Sequence, residues 1–561
     1  MITEKIAAHL EKIYTSKQDL DQANQLFTDL LEKYATKKFT ENPAIDQSNA
    51  YLITYGDSFQ NGNEKGLKVL REVVQTYLDD SITDVHLLPM FPFTSDDGFS
   101  VTDYLTINPA LGDWDDIKKL AQKKRLMYDF VANHMSAKSE WFKKFLNNDI
   151  GFEQSFVEYQ EEFDTTNVTR PRTSPLFHEY STDKGEKKKV WTTFSDDQVD
   201  VNPKDPIMLA RLSEVLLEYT FRGASSIRLD AIGFLWKDSG TTCMHLPKTH
   251  EIVKMWRTLL NHFSPNTQII TETNVPHKEN ISYLGDGHNE ANQVYQFPLP
   301  PLVLFSFIQE NTQKLAEWAS TIHALSDEAT FFNFLASHDG IGMRPVEGIL
   351  DDTERETIVE RVLNNQGKVS YKSNPDGSQT VYELNINYGD ALRSSEDTDQ
   401  LAAKKLIAAH NILLSFVGVP AIYYHSIFGS RGDLQGVEES GINRRINRQK
   451  IETKQLATEL DIDSYRKTVY EGITRLLKER QNYEAFSPYG EQEVLHLDEQ
   501  VFALKRTAKD GSEIISLTNV TGTEKIVEGL NGINVLTQTE VDNNFILAPY
   551  GIAWIKVGEQ Q

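Results

Sequence analysis

The stretch Ser226-Ile227-Arg228-Leu229-Asp230-Ala231 constrains this chain more than any other. A short apolar segment carries an arginine at its centre and ends on an aspartate. Residues two apart on a strand share a face, so Arg228 and Asp230 point into one polar space while Ile227 and Leu229 take the other side. Alone, such a pair could be a structural ion pair at a strand end. Two further stretches repeat the pattern: Ile269-Ile270-Thr271-Glu272-Thr273-Asn274, and Phe331-Phe332-Asn333-Phe334-Leu335-Ala336-Ser337-His338-Asp339. Core packing does not explain three apolar strands that each hand over to a carboxylate.

These strands belong to a longer rhythm. Tyr51 to Thr54 leads to Asp57, Val85 to Leu88 leads to the loop with Asp96 and Asp97, and Leu126 to Val131 leads to Asn133 and His134. The strands ending at Asp230 and Glu272 come fourth and fifth. Val294 to Phe297 is a weaker sixth, the strand ending at His338-Asp339 is seventh, and Ala421 to Tyr424 is eighth. Eight such units separated by amphipathic helices predict an α/β fold, a (β/α)8 barrel with its reactive residues at the C-terminal strand ends. The alternative is an open doubly wound sheet, but no Gly-rich phosphate loop follows the first strand. Residues 1–48 read as an N-terminal helical extension, packed on the body or used in a dimer. Residues 49–490 read as the barrel, with polar insertions at about 135–205 and 340–400 that emerge on the reactive side. The second insertion carries the turn signal Asn374-Pro375-Asp376-Gly377. Residues 491–561 change period and read as a small antiparallel β domain.

With 561 residues the chain exceeds a single simple core. Its net charge of -25 argues against nucleic acid as a partner. The one cysteine, Cys243, excludes an intramolecular disulfide and cysteine-rich metal sites. The apolar run from Leu406 to Tyr424 is broken by His410, Asn411 and Pro420, so it reads as helix, break and strand and not as a membrane span. Met1-Ile2-Thr3-Glu4-Lys5 shows no signal-peptide pattern, and the expected setting is cytoplasmic, as a monomer or homodimer.

Asp230 and Glu272 end neighbouring strands, so their carboxyls can converge. Two carboxylates flanking a bond are what glycosidic cleavage requires: one attacks or steadies the anomeric carbon, and the other protonates the leaving oxygen. Arg228 favours an ionised Asp230. Asp339 is a third carboxylate, and His134 and His338 are placed to bind sugar hydroxyls.

Asp129-Phe130-Val131-Ala132-Asn133-His134, Arg228-Leu229-Asp230-Ala231, Thr271-Glu272 and Ser337-His338-Asp339 resemble, in order, the four signature regions of the α-amylase superfamily. Gly98-Phe99, Arg170-Pro171-Arg172, Phe297-Pro298-Leu299-Pro300-Pro301-Leu302 and His338-Asp339-Gly340-Ile341-Gly342 narrow the resemblance to the sucrose phosphorylase subfamily. Ile232 to Lys237, Glu272 to His277, Arg344-Pro345-Val346-Glu347-Gly348 and the helical extension look most like its glucosylglycerate phosphorylases. One departure is Ser337, where the wider superfamily usually has Asn.

The resemblance implies Asp230 as nucleophile, Glu272 as acid/base and Asp339 as transition-state stabiliser. It implies a one-glucose pocket lined by Arg228, His134 and His338. Asp96 and Arg448 would clamp the far hydroxyls, Phe99 and Phe194 would be apolar platforms, and Gln198 a polar neighbour. The implied reaction is double displacement on a small α-glucoside, with inorganic phosphate as second substrate and no metal or cofactor. Arg172, with Arg344 as a weaker choice, would meet phosphate. For an acceptor carboxylate, an arginine fork is apt; Arg431, Ser430 and His425 in the loop after the eighth strand, with His277, are the expected contacts. Glycerate is the favoured acceptor, with glycerol, fructose and fructose 6-phosphate open. A hydrolase or transglucosidase using the same carboxylates, and an inactive binding barrel, are the rival classes.

Overall fold

Hydrogen bonding between strands closes eight parallel strands into one ring. The computed structural model describes residues 1–374, 376–462 and 464–558. The barrel strands are β1 (Tyr51–Thr54), β2 (Asp84–Leu87), β3 (Arg125–Phe130), β4 (Ala224–Leu229), β5 (Gln268–Thr271), β6 (Gln293–Tyr295), β7 (Thr330–Asn333) and β8 (Val419–Tyr423). Each pairs with the next in sequence, and β8 returns to β1. The register places Asp129 beside Arg228, and Arg228 beside Ile270. Alternation then carries His86, Asp129, Arg228 and Tyr295 to the inside of the barrel, where they touch one another. Ile227, Leu229 and Ile269 are fully buried in the surrounding core.

The sequence expectation for the seventh unit needs correction. β7 ends at Asn333, so His338 and Asp339 stand on the loop beyond it. The chain turns away from the ladder there, and Ser337 Oγ accepts the Asp339 N–H at 3.1 Å.

The helical extension is two helices, α1 (Ile2–Ile13) and α2 (Lys17–Ala35). Their apolar faces pack against the barrel helices Pro247–Phe263 and Pro206–Phe221. Tyr14 donates to the Pro203 carbonyl at 2.8 Å and Tyr34 to Glu218 at 2.7 Å. Helix ends at Ala35 and not near residue 48. Thr40, Asn42 and Pro43 instead run along the barrel floor, where Asn42 Nδ2 donates to Thr267 Oγ1 at 2.9 Å and Ser264 donates to the Thr40 carbonyl at 2.9 Å.

The first insertion is more ordered than its composition suggests. Phe177–Ser181 and Lys187–Trp191 form a hairpin, and His134–Ser136 pairs antiparallel with Gln198–Asp200. The second contains a sheet of Ile341–Gly342, Gln379–Asn385 and Lys368–Ser373, with Gly342 opposite Glu383. In its turn, Gly377 N–H reaches the Asn374 carbonyl at 3.0 Å; Pro375 lies outside the described residues.

The C-terminal strands form a six-stranded antiparallel sheet that includes Val501–Thr507, Glu513–Asn519 and Ile552–Val557. It is anchored through buried Asn411 on the barrel helix Asp399–Ser415. Asn411 accepts from Trp554 Nε1 at 2.7 Å and donates to Thr518 Oγ1 at 2.9 Å. Among the described residues, no helix is long and apolar enough to cross a membrane. Asn411→Ala strands several buried polar groups at once and is expected to cost about 2–4 kcal/mol of stability in urea unfolding.

Candidate active site

A cavity opens at the C-terminal mouth of the barrel, and Asp230, Glu272 and Asp339 all border it. Beneath them lies Arg228, only 1% exposed. Its Nη1 meets Asp129 Oδ1 at 2.6 Å and Asp230 Oδ1 at 2.9 Å, its Nη2 is 3.7 Å from Glu272 Oε2, and its Nε donates to Tyr295 OH at 2.8 Å. His86 Nε2 donates to the other Asp129 oxygen at 2.8 Å.

Ala231 follows Asp230 in a left-handed conformation, φ 47°. That is an unfavourable backbone for a residue with a Cβ. The conformation aims its N–H at Glu272 Oε2, 3.0 Å away. Burial raises the pKa of both Asp230 and Glu272, with like charge adding to it: Glu272 acts on Asp230, and Asp339 on Glu272. The pair therefore holds a proton that isolated carboxyls would lose. Arg228 is nearer Asp230 than Glu272, at 2.9 against 3.7 Å, so its charge favours ionisation of Asp230 more than that of Glu272.

Asp339 is charged. Burial opposes its ionisation, but Arg444, and after it Arg448, hold it well below the ordinary carboxylate range. Arg444 Nη1 lies 2.7 Å from Asp339, and its Nε and Nη2 fork onto Glu383 at 3.0 and 2.8 Å. Gly340 follows because a Cβ there would sit 2.4 Å from the Leu384 carbonyl oxygen.

His338 stacks on Phe99, with centroids 4.8 Å apart and planes 5° from parallel. His134 donates from Nε2 to the Phe99 carbonyl at 3.0 Å, and Gln198 Nε2 reaches the same carbonyl at 3.2 Å. Burial lowers the pKa of both histidines, so they stay neutral. Phe194 flanks His134 at 5.1 Å. The expected glucose-pocket residues are thus gathered around one cavity, with Arg228 and Arg448 behind its wall.

The Asp96–Arg448 pair is looser than expected. Arg448 Nη1 lies 3.6 Å from Asp96 but 2.8 Å from Asp97. Asp97 holds the guanidinium, and Asp96 is left facing the cavity beside Gln198 Nε2, 3.3 Å away. Both aspartates adopt positive φ, 52° and 46°, which splays their carboxylates apart.

Of the anion candidates, Arg172 and Arg344 border the cavity. His277, His425, Ser430 and Arg431 do not, and this corrects the acceptor reading of the loop after β8. A short helix, Tyr424–Ile427, turns His425 onto the Tyr424 ring at 3.9 Å. Burial, with Arg466 nearby, pushes its pKa down to about 3. Ser430 Oγ accepts from Arg466 at 3.3 Å, and Arg431 pairs with Asp390. His277 packs edge-on to Trp318, and burial lowers its pKa to about 4. Sequence reasoning missed Asp97, Arg444, Glu383, Tyr295 and Tyr382. Asp97 adjoins Asp96 and Arg444 lies four residues before Arg448, both of which were singled out; Glu383 and Tyr382 lie in a polar insertion with no sequence signal.

The α-amylase catalytic-domain family matches residues 53–363. The chain belongs to the α-amylase family. Within that family, glucosylglycerate phosphorylase of Escherichia coli (strain K12) is 42% identical over 554 residues, 98% of this chain and 97% of the relative. The enzyme of the same description from Spirochaeta thermophila is 47% identical over 496 residues, 88% and 83% of the two chains. The crystal structure of sucrose 6F-phosphate phosphorylase from Thermoanaerobacter thermosaccharolyticum superposes with a TM-score of 0.76 at 24% identity, covering 90% of this chain and 99% of that one, a likeness of fold. This α-amylase family member is an enzyme, and its relatives place it with the sucrose phosphorylase subfamily.

Asp97 supplies a pH test. Burial opposes its ionisation, but Arg448 holds its carboxyl below the usual value. A depressed folded pKa contributes stability above the unfolded value of about 3.9 and loses it as pH falls through the folded one. Thermal melts from pH 3 to 7 should show wild type most above Asp97→Asn at neutral pH, with the gap closing in acid.

Proposed function

We propose that the enzyme is a retaining glycoside phosphorylase that converts a small α-glucoside and inorganic phosphate to α-D-glucose 1-phosphate and a released acceptor. The observation that carries this reading is one guanidinium, Arg228, spanning Asp230 and Glu272 at unequal distance. Its charge favours an ionised Asp230 over an ionised Glu272 beside the same cavity, the division of roles that a nucleophile and an acid/base need. Two carboxyls drawn to one guanidinium favour the short separation, about 5–5.5 Å, that retaining enzymes use.

In the first half-reaction Asp230 attacks the anomeric carbon, and the bond to the acceptor oxygen breaks as Glu272 gives that oxygen its proton. Charge building on the ring is met by the Asp339 carboxylate. The neutral histidines add no opposing positive charge. In the second half-reaction a phosphate oxygen attacks the β-glucosyl-enzyme, Glu272 takes its proton, Asp230 is released, and configuration is retained. Arg448, Asp97 and Asp96 wall off the inner end, which limits the donor to one glucosyl unit. Arg172, stacked 5.4 Å from the ring centres of both Phe194 and Tyr382, is the cation offered to phosphate. Relatives 42% and 47% identical are named for glucosylglycerate, which supports D-glycerate as the acceptor. Phosphate and a phosphorylated sugar as reagents favour a cytoplasmic setting.

Asp230→Asn should lower turnover about 10⁴-fold or more with the fold intact by circular dichroism. A β-configured product would overturn the mechanism. Because burial raises the Glu272 carboxyl, the basic limb of the phosphorolysis profile should lie above the ordinary glutamate value of about 4.3. Arg172→Ala should raise the phosphate KM about 10- to 100-fold, the worth of a charge-assisted contact. The rate of glucosyl-enzyme formation from an activated donor should fall far less. Equal losses in the two assays would assign Arg172 another task, and turnover without phosphate would mark a hydrolase.

A further inference from the structure

Arg228 and Arg448 beneath the cavity and Arg444 on its wall are matched to carboxylates: Arg228 to Asp129 and Asp230, Arg444 to Asp339 and Glu383, Arg448 to Asp97. Arg344 on the cavity wall is different. Its nearest carboxylate, Glu347, is 4.0 Å from Nε, and that Nε is buried without a hydrogen-bond partner among the described residues. Its neighbours register the uncompensated charge. Burial, with His250 and Arg344 acting in the same direction, pushes the His245 imidazole down to about 4. Burial and then Arg344 likewise lower Lys372.

The position of Arg344 relative to the reacting centre follows from packing. It opens the turn Arg344–Val346, two residues after Gly342. A Cβ at Gly342 would lie 2.5 Å from Asn274 Oδ1, so this segment sits directly on the one that carries Glu272 and Asn274. Asn274 and Arg344 both border the cavity, and the Asn274 Nδ2 is a donor that a carboxylate can use. The bridging oxygen of the acceptor must lie against Glu272, with which it exchanges a proton. The rest of the acceptor then extends past Asn274 toward Arg344.

We propose that Arg344, assisted by the Asn274 amide, receives the carboxylate of the acceptor and makes the enzyme select a hydroxy acid over a neutral polyol, separately from phosphate binding at Arg172. The inference rests on the phosphorylase reading above. The protein carries a net charge of -25, and the site holds several carboxylates, so an anionic acceptor needs a local cation. A planar unpaired guanidinium is suited to a carboxylate.

The test uses glucose 1-phosphate as donor, with D-glycerate and glycerol as acceptors. Wild type, Arg344→Gln, Arg344→Lys and Asn274→Ala are compared. In Arg344→Gln the ratio of kcat/KM for glycerate to that for glycerol should fall about 10- to 100-fold, the worth of charge-assisted hydrogen bonds. Arg344→Lys should recover part of the ratio, because the charge remains and the fork does not, and Asn274→Ala should lower it more mildly. In the phosphorolysis direction, the KM for glucosylglycerate should rise in Arg344→Gln by more than the KM for phosphate. An unchanged ratio, or equal rises in the two KM values, overturns the assignment. If Arg344→Gln fails to fold, an unaltered ratio in Arg344→Lys overturns it instead. Failure of the unaltered enzyme to transfer glucose to either acceptor is a separate result and overturns the phosphorylase reading itself.

Discussion

The site depends on a guanidinium that cannot reach water. Arg228 is buried inside the barrel, and its charge is matched by Asp129 and Asp230 and approached by Glu272. Removing one partner from such a pair costs about 3–5 kcal/mol, because the other is left as an uncompensated buried charge. The partners therefore hold each other's positions closely. His86 on β2, Asp129 on β3, Arg228 on β4 and Tyr295 on β6 are distant in sequence, and only a closed barrel in one register brings them together. A slip of one residue in β4 would turn Arg228 outward and Leu229 inward. Barrel register and the protonation of Asp230 and Glu272 are thus one constraint.

The outer half of the site is built from different material. The barrel supplies Asp230 and Glu272 just beyond β4 and β5. Asp96 and Asp97 stand on the loop after β2, Gln198 returns from the first insertion, and Tyr382 and Glu383 come from the second. Three residues there, Asp96, Asp97 and Ala231, have positive φ. At Ala231 the strained conformation puts an N–H on Glu272, and at the aspartates it separates one carboxylate that grips Arg448 from one that faces the cavity. Each such residue costs about 1–3 kcal/mol, which the surrounding ion pairs and packing must offset.

Charge is arranged along the cavity. Toward the inner end, arginines and carboxylates are matched and the histidines are neutral, which suits an uncharged sugar. Toward the rim, among the described residues, Arg172 stacks on aromatic rings and Arg344 has only Glu347, 4.0 Å from its Nε. An anionic substrate such as phosphate needs such a gradient, since the chain as a whole, at a net charge of -25, repels it.

Local rules made the barrel legible. A strand has a period of two, so Arg228 with Asp230 announced a polar face, and eight apolar runs with carboxylate or histidine endings announced strand ends on one rim. The three carboxylates that border the cavity were legible for the same reason, since each follows its apolar run within a few residues. Tertiary structure decided what spacing along the chain cannot encode. Asp97 and not Asp96 holds Arg448, because two adjacent positive-φ residues send their side chains different ways. Arg444 and Glu383 form a fork across two separate excursions of the chain. The loop after β8, legible as cationic and near the rim, folds back onto Asp390 and Arg466, while Arg344 takes the cavity wall. An arginine's role depends on which carboxylates stand within a few ångströms of it, and those neighbours are set by how distant segments pack.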